Sequence, residues 1–156
     1  MKHLKLYEDY TNSDFLNWFG DSLVVDSNGL PLIVYHGTAE KFDVFDTSKI
    51  GQNYRYSKNS GFFFTQKEQS AKNYAHLHTG GKSDGYVIKA YLKIVNPIIR
   101  NTNSDYYAPA DVFDMRGHEL MREARNDKSI DGIIIRGTRN DDLYIAFKPN
   151  QIKIIN

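Results

Sequence analysis

LPLIVYHGT, residues 30–38, is an apolar run that stops at a histidine, a glycine and a threonine. Its β-branched and aromatic residues favour a strand. SLVV, at 22–25, precedes it across DSNG, whose Asn28-Gly29 pair is a hairpin signal. The sequence therefore predicts a hairpin with Tyr35 and His36 at the end of its second strand. A strand ending in His-Gly-Thr is either a strand meeting its turn or the floor of a binding site. Taken alone, such a histidine is more often a structural hydrogen-bonder than a catalyst.

Working outward, TNSDFLNWFG at 11–20 sets cap-type residues before Phe15, Trp18 and Phe19, the spacing of a short amphipathic helix that Gly20 ends. Residues 47–60 are polar without apolar period and read as a long loop. GFFFT at 61–65 reads as a buried strand, and QKEQSAKNYAHLH at 66–78 as a helix with Ala71, Tyr74 and Ala75 on one face. GYVIKAYLKIVNPIIRN, from 85, is a strand broken at Asn96-Pro97. A helix opened by Pro109 spans 109–126, and GIIIR, LYIAFK and QIKII supply the closing strands. Strands interleaved with helices but without a βαβ rhythm predict an α+β fold, in a single domain over 1–156.

Composition narrows the function classes. The 156 residues carry 20 basic and 19 acidic side chains, net charge +1, which gives no bulk attraction to nucleic acid or membrane. No cysteine is present, which excludes disulfides, thiolate metal sites and cysteine catalysis. No apolar run approaches the ~20 residues of a membrane span, and the start lacks a signal-peptide pattern. A cytoplasmic protein is expected. Eleven tyrosines, nine phenylalanines and one tryptophan can fill a core or stack on a flat ligand.

The isolated motifs are weak. GGKS at 80–83 has the end of a phosphate-binding loop, but its opening glycine would fall at His76. His76 and His78 form an HxH pair that points to different helix faces, with no further metal-spaced ligand, so both are expected at the solvated surface. GxSxG is absent.

The ordered set is more specific. After YHGT at 35–38 comes GFFFT at 61–65, and thirteen residues after Gly61 comes Tyr74. This set resembles ADP-ribosyltransferases of the histidine-tyrosine-glutamate type, which include diphtheria-toxin-like enzymes and poly-ADP-ribose polymerases. DFLNWFGDSLVVDSNGLPLIVYHGT, AYLKIVNP, DGIII and YIAFKPNQIK extend the resemblance over about 14–153, toward small transferase domains of phages, prophages and their polyvalent proteins.

The resemblance implies NAD as co-substrate, without a metal, in a cleft between two small sheets. His36 would bond the adenosine ribose and Gly37 would offer its backbone to the nicotinamide amide. Phe63 and Tyr74 would sandwich the nicotinamide ring. Thr38, Phe64 and Leu143 fall at cofactor-contacting positions of the matched motifs. The 51–60 loop would cover the ligand, and Arg55 is our own candidate for its diphosphate. Phe63 stands where the family usually has tyrosine, and Leu143 where it has the catalytic glutamate. Asp142 could substitute only through a bulge, because neighbours on a strand face opposite ways. Asp141 has the right parity but lies about 6–7 Å back. The acceptor could instead supply the carboxylate, as proposed for mono-ADP-ribosylating relatives with leucine or isoleucine here. The expected activity is mono-ADP-ribosylation of a host macromolecule, protein in preference to nucleic acid, with no oligomer implied. A silent NAD-binding or interaction module and an NAD glycohydrolase are the alternatives.

Overall fold

The computed structural model of the protein describes residues 12–49, 61–102, 109–137 and 141–155. Within them, helices α1 (Ser13–Phe19), α2 (Glu68–His78) and α3 (Pro109–Asn126) are interleaved with seven strands. The strands are β1 (Val34–Thr38), β2 (Phe62–Thr65), β3 (Tyr86–Leu92), β4 (Pro97–Asn101), β5 (Gly132–Arg136), β6 (Leu143–Ala146) and β7 (Ile152–Ile155). They form one mixed sheet in the order β4-β5-β6-β2-β1-β3-β7, with β4–β5 its parallel pair, so the class is α+β. Among the described residues no helix is long and apolar enough to cross a membrane.

That strand order dictates a curled sheet. β3 and β4 stand sixth and first, about 24 Å apart if the sheet were flat. Yet the chain from Leu92 to Pro97 reaches at most about 18 Å. The sheet must therefore bend toward itself. The crossing is held by Asp131, whose carboxylate accepts from Val95 N and Asn96 N, both at 2.8 Å. Gln151, buried beside it, donates to Lys93 O at 3.0 Å and Asp131 O at 2.7 Å, and accepts from Phe147 N and Lys148 N. Pro97 opens an edge strand, where its missing N–H costs no ladder bond.

Alternation along the strands divides the residues between two faces. Val34, Phe62, Phe64, Ile88, Ala90, Leu92, Ile134, Tyr144 and Ala146 share one core, joined by Val24 and Phe45. The other face carries the helices. α3 places Val112, Phe113, Leu120 and Met121 over Ile133, Ile135, Leu143 and Ile145. α1 is capped by Asn12, whose side chain accepts from Asp14 N and Phe15 N, and it buries Phe15 and Phe19 against Tyr91. α2 lies across β1, β2 and β3.

The expected first hairpin is reduced to a turn. Asp26 Oδ1 accepts from Asn28 N and Leu30 N, and Gly29 takes φ 78°. A single bridge, Val25–Pro31, is all that pairs as strand, and regular structure resumes only at Val34. Two physical reasons oppose a longer ladder. Pro31 has no N–H to donate, and Ser22 and Leu23 are drawn away to the end of β3. There Ser22 Oγ donates to Leu92 O at 2.7 Å, and Leu23 N donates to Ile94 O at 2.8 Å.

Candidate functional site

The site begins at a seam in the sheet. β1 pairs with β3 at five positions, but with β2 at one, Tyr35–Thr65. Continued by two residues, that register would set Gly37 opposite Phe63. Instead the His36 side chain reaches across, and Nδ1 lies 2.6 Å from the Phe63 carbonyl oxygen. A carbonyl only accepts, so its partner assigns the ring proton to Nδ1 and leaves Nε2 with a lone pair. The strands thus part at the residues the sequence singles out.

Aromatic rings enclose His36: Phe45 at 5.1 Å, Phe64 at 5.4 Å and Phe42 at 6.0 Å between centroids. Burial is the main cause that lowers its pKa from 6.5 to about 4. The Phe63 carbonyl opposes this, and charge on nearby His78 reinforces it. His36 is therefore a neutral hydrogen-bonding group near pH 7. The sign of the linkage follows. Between pH 6.5 and about 4 the unfolded chain holds a proton there that the folded chain does not, so stability falls as the pH is lowered. Going from pH 7 to 5, His36 should contribute a loss of at most about 2 kcal/mol. Urea denaturation at both pH values, on the wild type and His36→Gln, measures it. An equal loss in both proteins would remove His36 as the cause.

α2 forms the wall beside Gly37. A Cβ built on Gly37 would overlap Ala71 O and stand 2.8 Å from Ala75 N. The missing side chain is thus required first by the helix. Tyr74 lies on this same face of α2, half-buried. Phe63 lies on the helix-bearing face of the sheet, its ring edge-on to Phe113 at 5.1 Å.

A family model for ADP-ribosyltransferases in polyvalent proteins matches residues 26–156. The chain belongs to that family. A search of curated proteins returns no match. The chemistry of that family is ADP-ribosyl transfer, and ADP-ribosyltransferases use NAD as co-substrate.

Several expected site positions are committed to the fold of this ADP-ribosyltransferase. Asp141 accepts from Ser70 Oγ at 2.5 Å and from Lys67 N at 3.0 Å. Lys67 offers no side-chain cap, so Asp141, just ahead of β6, caps α2 instead. Asp142 accepts from Arg136 Nη1 at 2.8 Å, Gly137 N at 2.9 Å and Tyr144 Oη at 3.3 Å. Tyr144 belongs to the core opposite Leu143, as strand alternation requires. Leu143 is 3% exposed among the apolar side chains under α3. Phe64 is fully enclosed, packed on His36. Thr38 closes a turn, Oγ1 donating to Glu40 O and accepting from Glu40 N. Arg55 and the 51–60 loop lie outside the described residues.

GGKS and His76 agree with their expected readings, and His78 does not. GGKS follows the carboxyl end of α2, the negative end of the helix dipole, and forms a turn closed by Thr79 and Ser83. It cannot cradle a phosphate as a helix-opening loop does. His76 is exposed, with Nδ1 2.9 Å from Ser83 O, as its surface reading required. His78 is half-buried, and its Nδ1 is buried without a hydrogen-bond partner. The signal for it was present in the sequence, four residues past Tyr74 and therefore on the same face. Among the described residues no group of three or more His, Asp and Glu side chains could hold a metal ion.

Proposed function

We propose that this domain is a histidine-tyrosine-type mono-ADP-ribosyltransferase, phage- or prophage-encoded, that modifies a macromolecule in the host cytoplasm. The observation that carries this reading is the seam: a neutral His36 bridges to Phe63 where β1 and β2 part, with Gly37 and α2 beside it. His36 Nε2 then accepts from an adenosine ribose hydroxyl. The Gly37 backbone meets the carboxamide, and Phe63 and Tyr74 flank the nicotinamide ring by offset stacking.

In the reaction the bond between nicotinamide nitrogen and ribose C1′ breaks, and its electron pair leaves with nicotinamide. The acceptor nucleophile bonds C1′ and loses its proton. Asp141 and Asp142 are held by Ser70, Lys67 and Arg136 in the structure, and Leu143 can neither accept a hydrogen bond nor stabilise the positive ribose. The acceptor's own carboxylate therefore supplies that stabilisation, which permits one transfer and disfavours chain growth. Protein is the preferred acceptor class, since a net charge of +1 offers no polyphosphate footprint. The same absence of an available carboxylate favours a second reading, an NAD-binding module without turnover.

The test incubates purified protein with labelled NAD and host lysate, followed by separate protease and nuclease digestion. Label on protease-sensitive material is expected, lowered at least about tenfold by His36→Ala or Tyr74→Ala in folded variants. NAD binding without label transfer or nicotinamide release would establish the silent module. Nicotinamide release without a labelled macromolecule would establish a glycohydrolase.

A further inference from the structure

We propose that Phe113 is a positioning residue for the nicotinamide site: seated on Gly117, its ring sets the plane of Phe63 and so the strength of stacking there. The proposal rests on the NAD reading above and deepens it.

A phenylalanine has no hydroxyl by which to be anchored, so packing decides the plane of its ring. Phe63 is half-buried, on the face of the sheet that carries α3. Its backbone is committed on both sides. Phe63 pairs with Ile145 of β6, and its carbonyl oxygen lies 2.6 Å from His36 Nδ1. These bonds place the Cα–Cβ bond and leave the side-chain torsions open. The Phe113 ring meets the Phe63 ring edge-on, at 77° with 5.1 Å between centroids. Such a pair holds the angle between two rings, so where one is immobile the plane of the other follows.

Phe113 is the immobile one. It is 3% exposed, in the core that holds Val112, Leu120 and Leu143. Gly117 lies one turn further along α3, where a Cβ would stand 3.2 Å from two atoms of the Phe113 ring. Glycine weakens a helix interior relative to alanine. Gly117 is buried inside the 18 residues of α3 and has no positive φ to require it. The room it leaves is taken by the ring of Phe113. Gly117, Phe113 and Phe63 thus form a chain of contacts from α3 to the seam. A turn of Phe63 away from the nicotinamide plane would weaken the offset stack. The adenosine half of the ligand, held at His36, would not feel it.

Ligand-observed NMR titrations of the full chain with nicotinamide and with ADP-ribose, which lacks the nicotinamide ring, separate positioning from general packing. Phe113→Leu removes the ring edge, and Gly117→Ala adds a methyl that displaces the ring. Each should weaken nicotinamide about fivefold and leave ADP-ribose within about twofold of wild type. Gly117→Ala in the Phe113→Leu background should cost nicotinamide nothing further, because the ring it displaces is gone. Alanine favours a helix, so Gly117→Ala decides the matter even where Phe113→Leu does not fold. A folded Gly117→Ala protein with wild-type nicotinamide affinity would overturn the role of Phe113. So would an equal loss for both ligands, the mark of a merely structural part, or a wild type that binds ADP-ribose without nicotinamide. A folded wild type that binds neither of these nor NAD would overturn the NAD reading itself.

Discussion

Gly37→Ala should destabilise the domain by about 3 kcal/mol or more, lowering the thermal midpoint by about 10 °C. The new methyl would meet backbone atoms of Ala71 and Ala75, not the ends of flexible side chains that could swing aside. β1 cannot retreat, because it is paired with β3 from Val34 to Thr38. α2 would have to lift, and its amino end is tied to Asp141. Gly80→Ala is the informative control. Gly80 has φ 67° with nothing within 4 Å of the added carbon, so its cost is conformational, about 1–2 kcal/mol. Denaturant melts of both variants separate the two effects. A Gly37→Ala protein no less stable than Gly80→Ala would mean that α2 is not seated on β1 as described.

Much of the architecture was legible because its elements have strong local signals. Pro109 opens α3, Gly20 ends α1, and β4 starts at Pro97 as expected, although β3 already ends at Leu92. The Asn28-Gly29 signal gave the turn but not the ladder, since ladder length depends on what competes for the flanking backbone. Ser22 and Leu23 are claimed by Leu92 and Ile94, some seventy residues on. No local pattern could announce that. The curled order of the sheet is also non-local, set by the short crossing from β3 to β4.

The candidate site was legible in its motifs and not in its bonding. YHGT and GFFFT marked the two strands that part, and the seam between them is a matter of register. Glycine at 37 suggested close approach, but the approaching backbone in the structure is that of α2. HxH reads as a metal pair, whereas the useful information at His78 lies in its spacing from Tyr74. For Asp141 and Asp142 the sequence offers strand parity alone. Their partners, Ser70 and Lys67 for one and Arg136 and Tyr144 for the other, show how a fold can occupy carboxylates that a sequence leaves open.

Leu143→Glu should lower stability by about 3–5 kcal/mol at pH 7 and should not simply restore a catalytic carboxylate. Cross-strand pairing places Leu143 between Thr65 and Ile135, on the face covered by α3. Its neighbours in that core include Val112, Phe113 and Ile145, and none can bond a carboxylate through its side chain. Such a glutamate would have its pKa raised by burial. The sign then fixes the pH dependence. Below the unfolded value of about 4.3 both states bind the proton and the charge penalty vanishes. The penalty grows as pH rises through the window between the unfolded and folded values, and is complete above the folded one. The deficit relative to wild type should therefore be smaller at pH 5 than at pH 7. Leu143→Gln, polar at every pH, should show a deficit that does not change over the same range. Stability curves for the three proteins, with nicotinamide release measured alongside, give the answer. A Leu143→Glu protein as stable as wild type, and faster at releasing nicotinamide, would place position 143 in contact with the ligand and make leucine there a specific loss of catalytic power. The expected outcome points the other way. With α3 packed over this strand, leucine is the residue the core requires, which is why the proposed transfer draws its negative charge from the acceptor.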